Sequence, residues 1–155
     1  MGGTLYKITT TMSTTPYTFI QAGDKYIISL ENHCEIVEAI ATFCRDNNIT
    51  AGIVGGIGAV NTATLRFFNP STKKYIDKTF TEQMEIANLT GNISTLHGNI
   101  YLHLHATFGR EDYTALAGHL LTATLSGAGE IVIERIDATL PRRFSPEIGL
   151  NIYDL

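Results

Sequence analysis

Only one stretch of this chain carries a helical period. Ile36, Val37, Ile40, Phe43 and Cys44 recur at helical spacing. Asn32, with Glu35 three residues later, resembles a capping box with asparagine in the capping place. Asp46-Asn47-Asn48 ends the pattern, so the helix is expected over about 32–47. One helix cannot enclose a core by itself and must lie on a sheet.

The remainder reads as short strands separated by turns. Tyr17 to Gln21 and Tyr26 to Leu30 flank a turn at Ala22-Gly23-Asp24. Further strands are expected at 51–60, 63–68, 75–80, 84–93, 100–108, 116–125 and 130–136. Asn69-Pro70-Ser71 and Gly127-Ala128-Gly129 read as turns, and 109–112 as a loop. Residues 4–11 alternate weakly, as a first strand or a loose arm would. Many strands, short turns and one helix define an α+β fold: a largely antiparallel sheet packed against one major helix. The 155 residues, 44% of them hydrophobic and 17% charged, suit a single domain over 1–155 with a real core.

The glycine-rich run "GGIGAV" (55–60) lacks the spacing of a dinucleotide fingerprint and the Gly-Lys-Ser/Thr of a phosphate loop. It reads instead as a bend or bulge, where missing side chains let another backbone come close. No apolar run reaches the roughly 20 residues needed to cross a bilayer. Residues 1–7 show no basic region followed by an apolar stretch. No secretory signal is therefore expected, and the expected location is the cytoplasm. Cys34 and Cys44 both fall in the expected helix, about 15 Å apart along its axis, too far for a disulfide. They read as reduced thiols. The net charge of −4 and the scattered basic residues make direct DNA binding by this chain doubtful.

The chemistry concentrates in "HLHATFG" (103–109) and "GHL" (118–120). On a strand, residues two apart share a face at about 6.5 to 7 Å. His103 and His105 therefore face one way, and Leu102, Leu104 and Ala106 the other. If the next strand pairs antiparallel after a loop of about ten residues, His119 near its start comes close to them. Three neutral imidazoles with an open position are the donor set of a catalytic-type zinc site, and iron, nickel or cobalt would also accept them. The competing reading is three face or core histidines with no metal. His97, before Gly98-Asn99, reads as a turn residue exposed to solvent, and His33 as a residue at the helix start.

The ordered series "GGIGAV", "MEIANLTGNIS" (84–94), "HLHATFG", "AGHLL" (117–121) and "GEIVIERI" (129–136) resembles the PPC, or plants-and-prokaryotes-conserved, domain. The resemblance spans about 26–150. It implies an α+β fold, homotrimeric assembly and, for a stand-alone prokaryotic member, the common label "putative DNA-binding protein". It also implies a metal ion held by His103, His105 and His119, most simply zinc. The plant members carry an AT-hook with an Arg-Gly-Arg core, which this chain lacks. A distant likeness to acetolactate decarboxylase, a three-histidine zinc lyase, is at the level of fold alone.

Two functional readings follow. The first is a metal-binding trimeric module with a regulatory or DNA-associated role. The alternative is a small metalloenzyme acting on a carbonyl or carboxylate substrate, with a small-molecule ligand near the metal. Glu85 is the one candidate acid or base for the second, and Arg142 or Arg143 the candidate for holding an anionic substrate.

Overall fold

The computed structural model describes residues 15–155, so the weak alternation at residues 4–11 lies outside the described part. Nine strands and one helix follow in the order β1 (Tyr17–Ala22), β2 (Lys25–Leu30), α1 (Ile36–Asp46), β3 (Gly52–Asn69), β4 (Lys74–Phe80), β5 (Met84–Leu96), β6 (Asn99–Gly109), β7 (Ala115–Arg135), β8 (Pro141–Ser145) and β9 (Leu150–Tyr153). The fold is α+β, as the strand and helix patterns require. All nine strands join one sheet. Every pairing is antiparallel except that of β5 with β8.

The two longest strands organise the sheet. Of 18 and 21 residues, β3 and β7 are long enough to change neighbours along their length. β3 pairs with β5, β5 with β6, β6 with β7, and β7 again with β3. The circuit closes on itself and leaves none of these four strands wholly unpaired along an edge. Its inner face carries residues such as Leu89, Leu104, Phe108, Leu125 and Ile131, each at most 1% exposed.

The expected turn at Gly127-Ala128-Gly129 is instead the middle of β7, and the two strands read on either side of it are one. The glycines mark a bend. Gly127 has φ +129, which a side chain resists. A Cβ on Gly129 would stand 2.8 Å from a Leu125 methyl. Facing them, the β3 glycine run carries register shifts at 56/58 and 58/60. This is the bulge expected of "GGIGAV". The runs 51–60 and 63–68 likewise merge into the single strand β3.

Helix α1 begins later than its asparagine suggested. Glu35, not Asn32, is the N-cap, and its carboxylate accepts from the Val37 and Glu38 amides at 3.2 and 2.7 Å. The same carboxylate accepts from the Ala123 amide at 2.9 Å and so ties the helix start to β7. Asn32 is used across the fold, its Oδ1 accepting from the Gly127 amide at 3.0 Å. Cys34 therefore precedes the helix and Cys44 lies within it, both as free thiols. Burial pushes the Cys44 thiol up to about 12, so it stays protonated.

The helix buries Ile36, Ala39, Ile40 and Phe43. Phe43 is the anchor, meeting the rings of Tyr17, Phe19 and Tyr26 edge-on at 5.1, 5.1 and 5.4 Å. Phe43→Ala is expected to cost about 3–5 kcal/mol, read as a lowered urea midpoint at unchanged slope.

Candidate metal centre

The histidine motif lies on β6 with its alternation intact. Leu104, Ala106 and Phe108 point into the core, while His103, His105 and Thr107 stand on the outer face. The 109–114 connection returns the chain antiparallel, and in the resulting register His105 lies directly opposite His119. The three rings converge with centroids 5.2, 5.2 and 5.4 Å apart. One nitrogen from each lies within 4.8 Å of the others.

A single row of cross-strand partners runs through this site: Ile20, Ile27, Val132, Gly55, Thr90, His105, His119, Arg66 and Asp77. At one end Arg66 holds Asp77 through two bonds of 2.9 and 2.8 Å. The Arg66 guanidinium also lies 4.5 Å from the Tyr75 ring centroid. Tyr75 in turn stands 6.0 Å from the His119 ring. Arg66, Tyr75 and Asp77 carried no motif in the sequence. They are neighbours of His119 only because β3 and β4 place them there.

Burial, reinforced by clustering, sets the protonation state of His103 and His119. Burial, then the neighbouring His103 and His105, then Arg66 pull His119 down to about 4, against a small opposing effect of Asp77. Burial, then His105 and Arg142, pull His103 down as well. Both imidazoles are therefore neutral at pH 7, with lone pairs free for an ion. No ring nitrogen of the three has a hydrogen-bond partner among the described residues. Three imidazoles within ligand distance of one another, none of them hydrogen-bonded to another described residue, fit a divalent transition ion.

The same shift predicts an acid limit for the metal-free protein. The unfolded chain takes up its proton near the ordinary value of 6.5, and folded His119 only near 4. Between these values the unfolded state binds more protons, so stability is lost as pH falls from about 6.5 towards 4. Thermal melts across that range should show a falling Tm. His119→Asn should flatten the slope.

The family model of the Plants and Prokaryotes Conserved (PCC) domain matches residues 17–137. The chain belongs to this family. PCC is another abbreviation for the domain whose motifs were recognised above. No curated protein matches the PCC chain significantly. A solved protein of Bacteroides thetaiotaomicron, titled a "putative DNA-binding protein", is 56% identical; the match covers 90% of this chain and 97% of that one, with a TM-score of 0.88. A metal-containing protein of Archaeoglobus fulgidus is 26% identical over 88% of this chain and 96% of that one, with a TM-score of 0.80. The alpha-acetolactate decarboxylase of Bacillus subtilis is 13% identical, covers 83% of this chain and 60% of that one, and has a TM-score of 0.53. At that identity it shares the fold alone.

Of the other residues singled out from the sequence, Arg142 comes beside the histidines and the rest lie away from them. Glu85 is exposed on β5, opposite Gly109. That is four residues along β6 from His105, about 13 Å by strand rise. Glu85 lines a separate open cleft of about 610 Å³ with Gln83 and Glu130. The structure does not bring it to the histidines, because the strand that carries it pairs with them only further on. Arg143 is exposed and bound to Asp154 at 2.9 Å. Arg142 is buried, and its partner Asn92 lies opposite His103. His97 sits at φ +51 in the turn between β5 and β6, and His33 at φ +69 before α1. Both are outside the cluster.

Proposed function

We propose that this PCC domain is a metal-binding module in which His103, His105 and His119 hold one divalent transition ion, zinc foremost. The observation that carries the reading is the convergence of three imidazoles on the outer sheet face, with His103 and His119 held neutral. A relative of the same fold, 26% identical, is metal-containing, which supports it. When bound, such an ion would supply Lewis-acid character at an open coordination position.

The module is proposed to work as a homotrimer in the cytoplasm. The support for assembly is exposed apolar surface. Ile20, Ile27 and Val132, next to one another in register, are 55%, 55% and 45% exposed. On the β3–β4 ribbon, the opposed pair Phe67 and Ile76 are 67% and 60% exposed. Association would cover such surface. A regulatory role through partners fits better than direct DNA contact, given the net charge of −4. No described helix is long and apolar enough to cross a membrane.

The alternative reading, a small metalloenzyme for a carbonyl or carboxylate substrate, is favoured by one observation. The cluster is partly open to solvent and flanked by arginines on both sides, Arg66 at His119 and Arg142 at His103.

Elemental analysis of untagged protein tests the shared premise. About one transition metal per chain, lost to a chelator and regained on adding zinc, is expected. Protein that is metal-free and takes up no zinc would refute it. Sedimentation equilibrium is expected to give three times the 17.0 kDa chain mass. A monomer would remove the assembly proposal.

A further inference from the structure

We propose that Arg142 is the anion-binding group of the histidine centre, and that the ligand it takes is a small carboxylate with a neighbouring carbonyl or hydroxyl oxygen turned towards the imidazoles. The second half rests on the metal-binding reading above. The first half does not.

The argument begins with charge. The chain has six arginines, at 45, 66, 110, 135, 142 and 143. Five of them have a carboxylate within 4.0 Å, and all five are partly or well exposed. Arg142 is the exception on both counts. It is 8% exposed, and it forms no salt bridge among the described residues. Residues 1–14 contain no Asp or Glu that could supply one. A buried cation without a counter-charge is costly to keep. The fold has placed its most buried guanidinium where nothing in the chain neutralises it.

Its bonds show which of its hydrogens an anion would meet. Nε donates to Ser94 Oγ at 2.7 Å, Nη1 to the Asn151 carbonyl at 2.9 Å and Nη2 to Asn92 Oδ1 at 2.8 Å. These bonds fix the group in position, and each terminal nitrogen keeps a second hydrogen for a further acceptor. The Tyr101 and Tyr153 rings lie 5.0 and 4.3 Å from the guanidinium carbon. The hydrogens not engaged lie in the plane of the guanidinium, and two N–H groups in that plane match the two oxygens of a carboxylate.

The register then supplies the second contact. Asn92 lies opposite His103, and Ser94 opposite Tyr101. A carboxylate on Arg142 therefore sits at the His103 side of the cluster, and its neighbouring oxygen reaches the imidazoles. On the other flank Arg66 is already neutralised by Asp77. The asymmetry leaves one anion place, not two. Arg142 also lies beyond the segment 17–137 that the family model matches, on the added β8–β9 hairpin.

The test is calorimetric titration of pyruvate into zinc-loaded wild type, Arg142→Gln, Arg142→Lys and Arg143→Gln, with acetone and inorganic phosphate as comparison probes. Wild type and Arg143→Gln should bind pyruvate alike. Arg142→Gln, folded by circular dichroism and with its zinc retained, should bind about tenfold or more weakly. Arg142→Lys should fall between them, and acetone should not bind. Unchanged pyruvate affinity in Arg142→Gln, or no pyruvate binding by wild type, overturns the proposal. If Arg142→Gln does not fold, Arg142→Lys binding as wild type, with acetone as good as pyruvate, overturns it instead. Phosphate binding tighter than pyruvate overturns the carboxylate class. If wild type holds no zinc, the metal reading fails by itself. Pyruvate must then still shift the Arg142 Nε–H signal in the NMR spectrum of metal-free protein, and no shift would refute the anion site.

Discussion

His103→Ala combined with His105→Ala should yield a folded protein that no longer retains metal. Both side chains stand on the outer face, away from Leu104 and Ala106, so their loss opens no cavity in the core. The backbone pairing of β6 with β5 and β7 needs neither imidazole. What is lost is two of three donors, leaving His119 alone. Removing even an outer partner of a ligand costs about 10–100-fold in metal affinity, so losing two ligands should exceed the upper figure. The measurement is metal content beside circular dichroism, with Tm read at increasing zinc. Zinc should raise the Tm of wild type and leave the variant unmoved. A variant with wild-type metal content would show that the ion, if present, is held elsewhere.

Gly91→Ala should be among the most destabilising single-methyl changes in the chain. Gly91 lies opposite Leu104, between the strand positions that carry His103 and His105. A Cβ there would run into the carbonyl oxygen of His103 and stand 2.9 Å from its carbonyl carbon and from Leu104 Cα. These are backbone atoms of a paired strand and cannot rotate aside. β5 and β6 would have to separate where the closed circuit is seamed. The expected loss is about 3 kcal/mol, together with weakened zinc binding as His103 shifts. Gly55→Ala is the matched control. Its Cβ would meet nothing within 4 Å, so the change should be neutral or slightly stabilising. Equal denaturation midpoints for the two variants would refute the steric argument.

The histidine cluster was largely legible before folding. Period-two alternation puts His103 and His105 on one face whatever the rest of the chain does, and a short connection makes the next strand antiparallel. Glu85 and the two arginines were not separable by such reasoning. A strand residue's neighbours across the sheet depend on register, which no local pattern encodes over so many residues. Arg142 and Arg143 are adjacent in sequence, yet one is buried against Tyr101 and the other pairs with Asp154 at the surface. Alternation says that they differ in face but not which face is covered, and the covering hairpin β8–β9 went unseen.

The turn residues misled in a consistent way. Gly127-Ala128-Gly129 carries the composition of a turn, and in a flat sheet it would be one. Here β7 must bend to serve β6 and β3 with its first half and β2 and β3 with its second. Glycine provides the bend without ending the strand. Asn32 likewise has the side chain of a helix cap, yet Glu35 takes that place because its carboxylate also reaches the Ala123 amide on β7. By itself, then, the sequence determined the helix and its buried face, the outward facing of His103 and His105, the bulge at "GGIGAV" and the family. These rest on periods and side-chain types, which act within a few residues. The tertiary structure alone decided that His119 stands opposite His105, that Arg66 is neutralised and that Arg142 is not. Those facts depend on register between strands far apart in the chain, and register is set only when the whole sheet closes around its core.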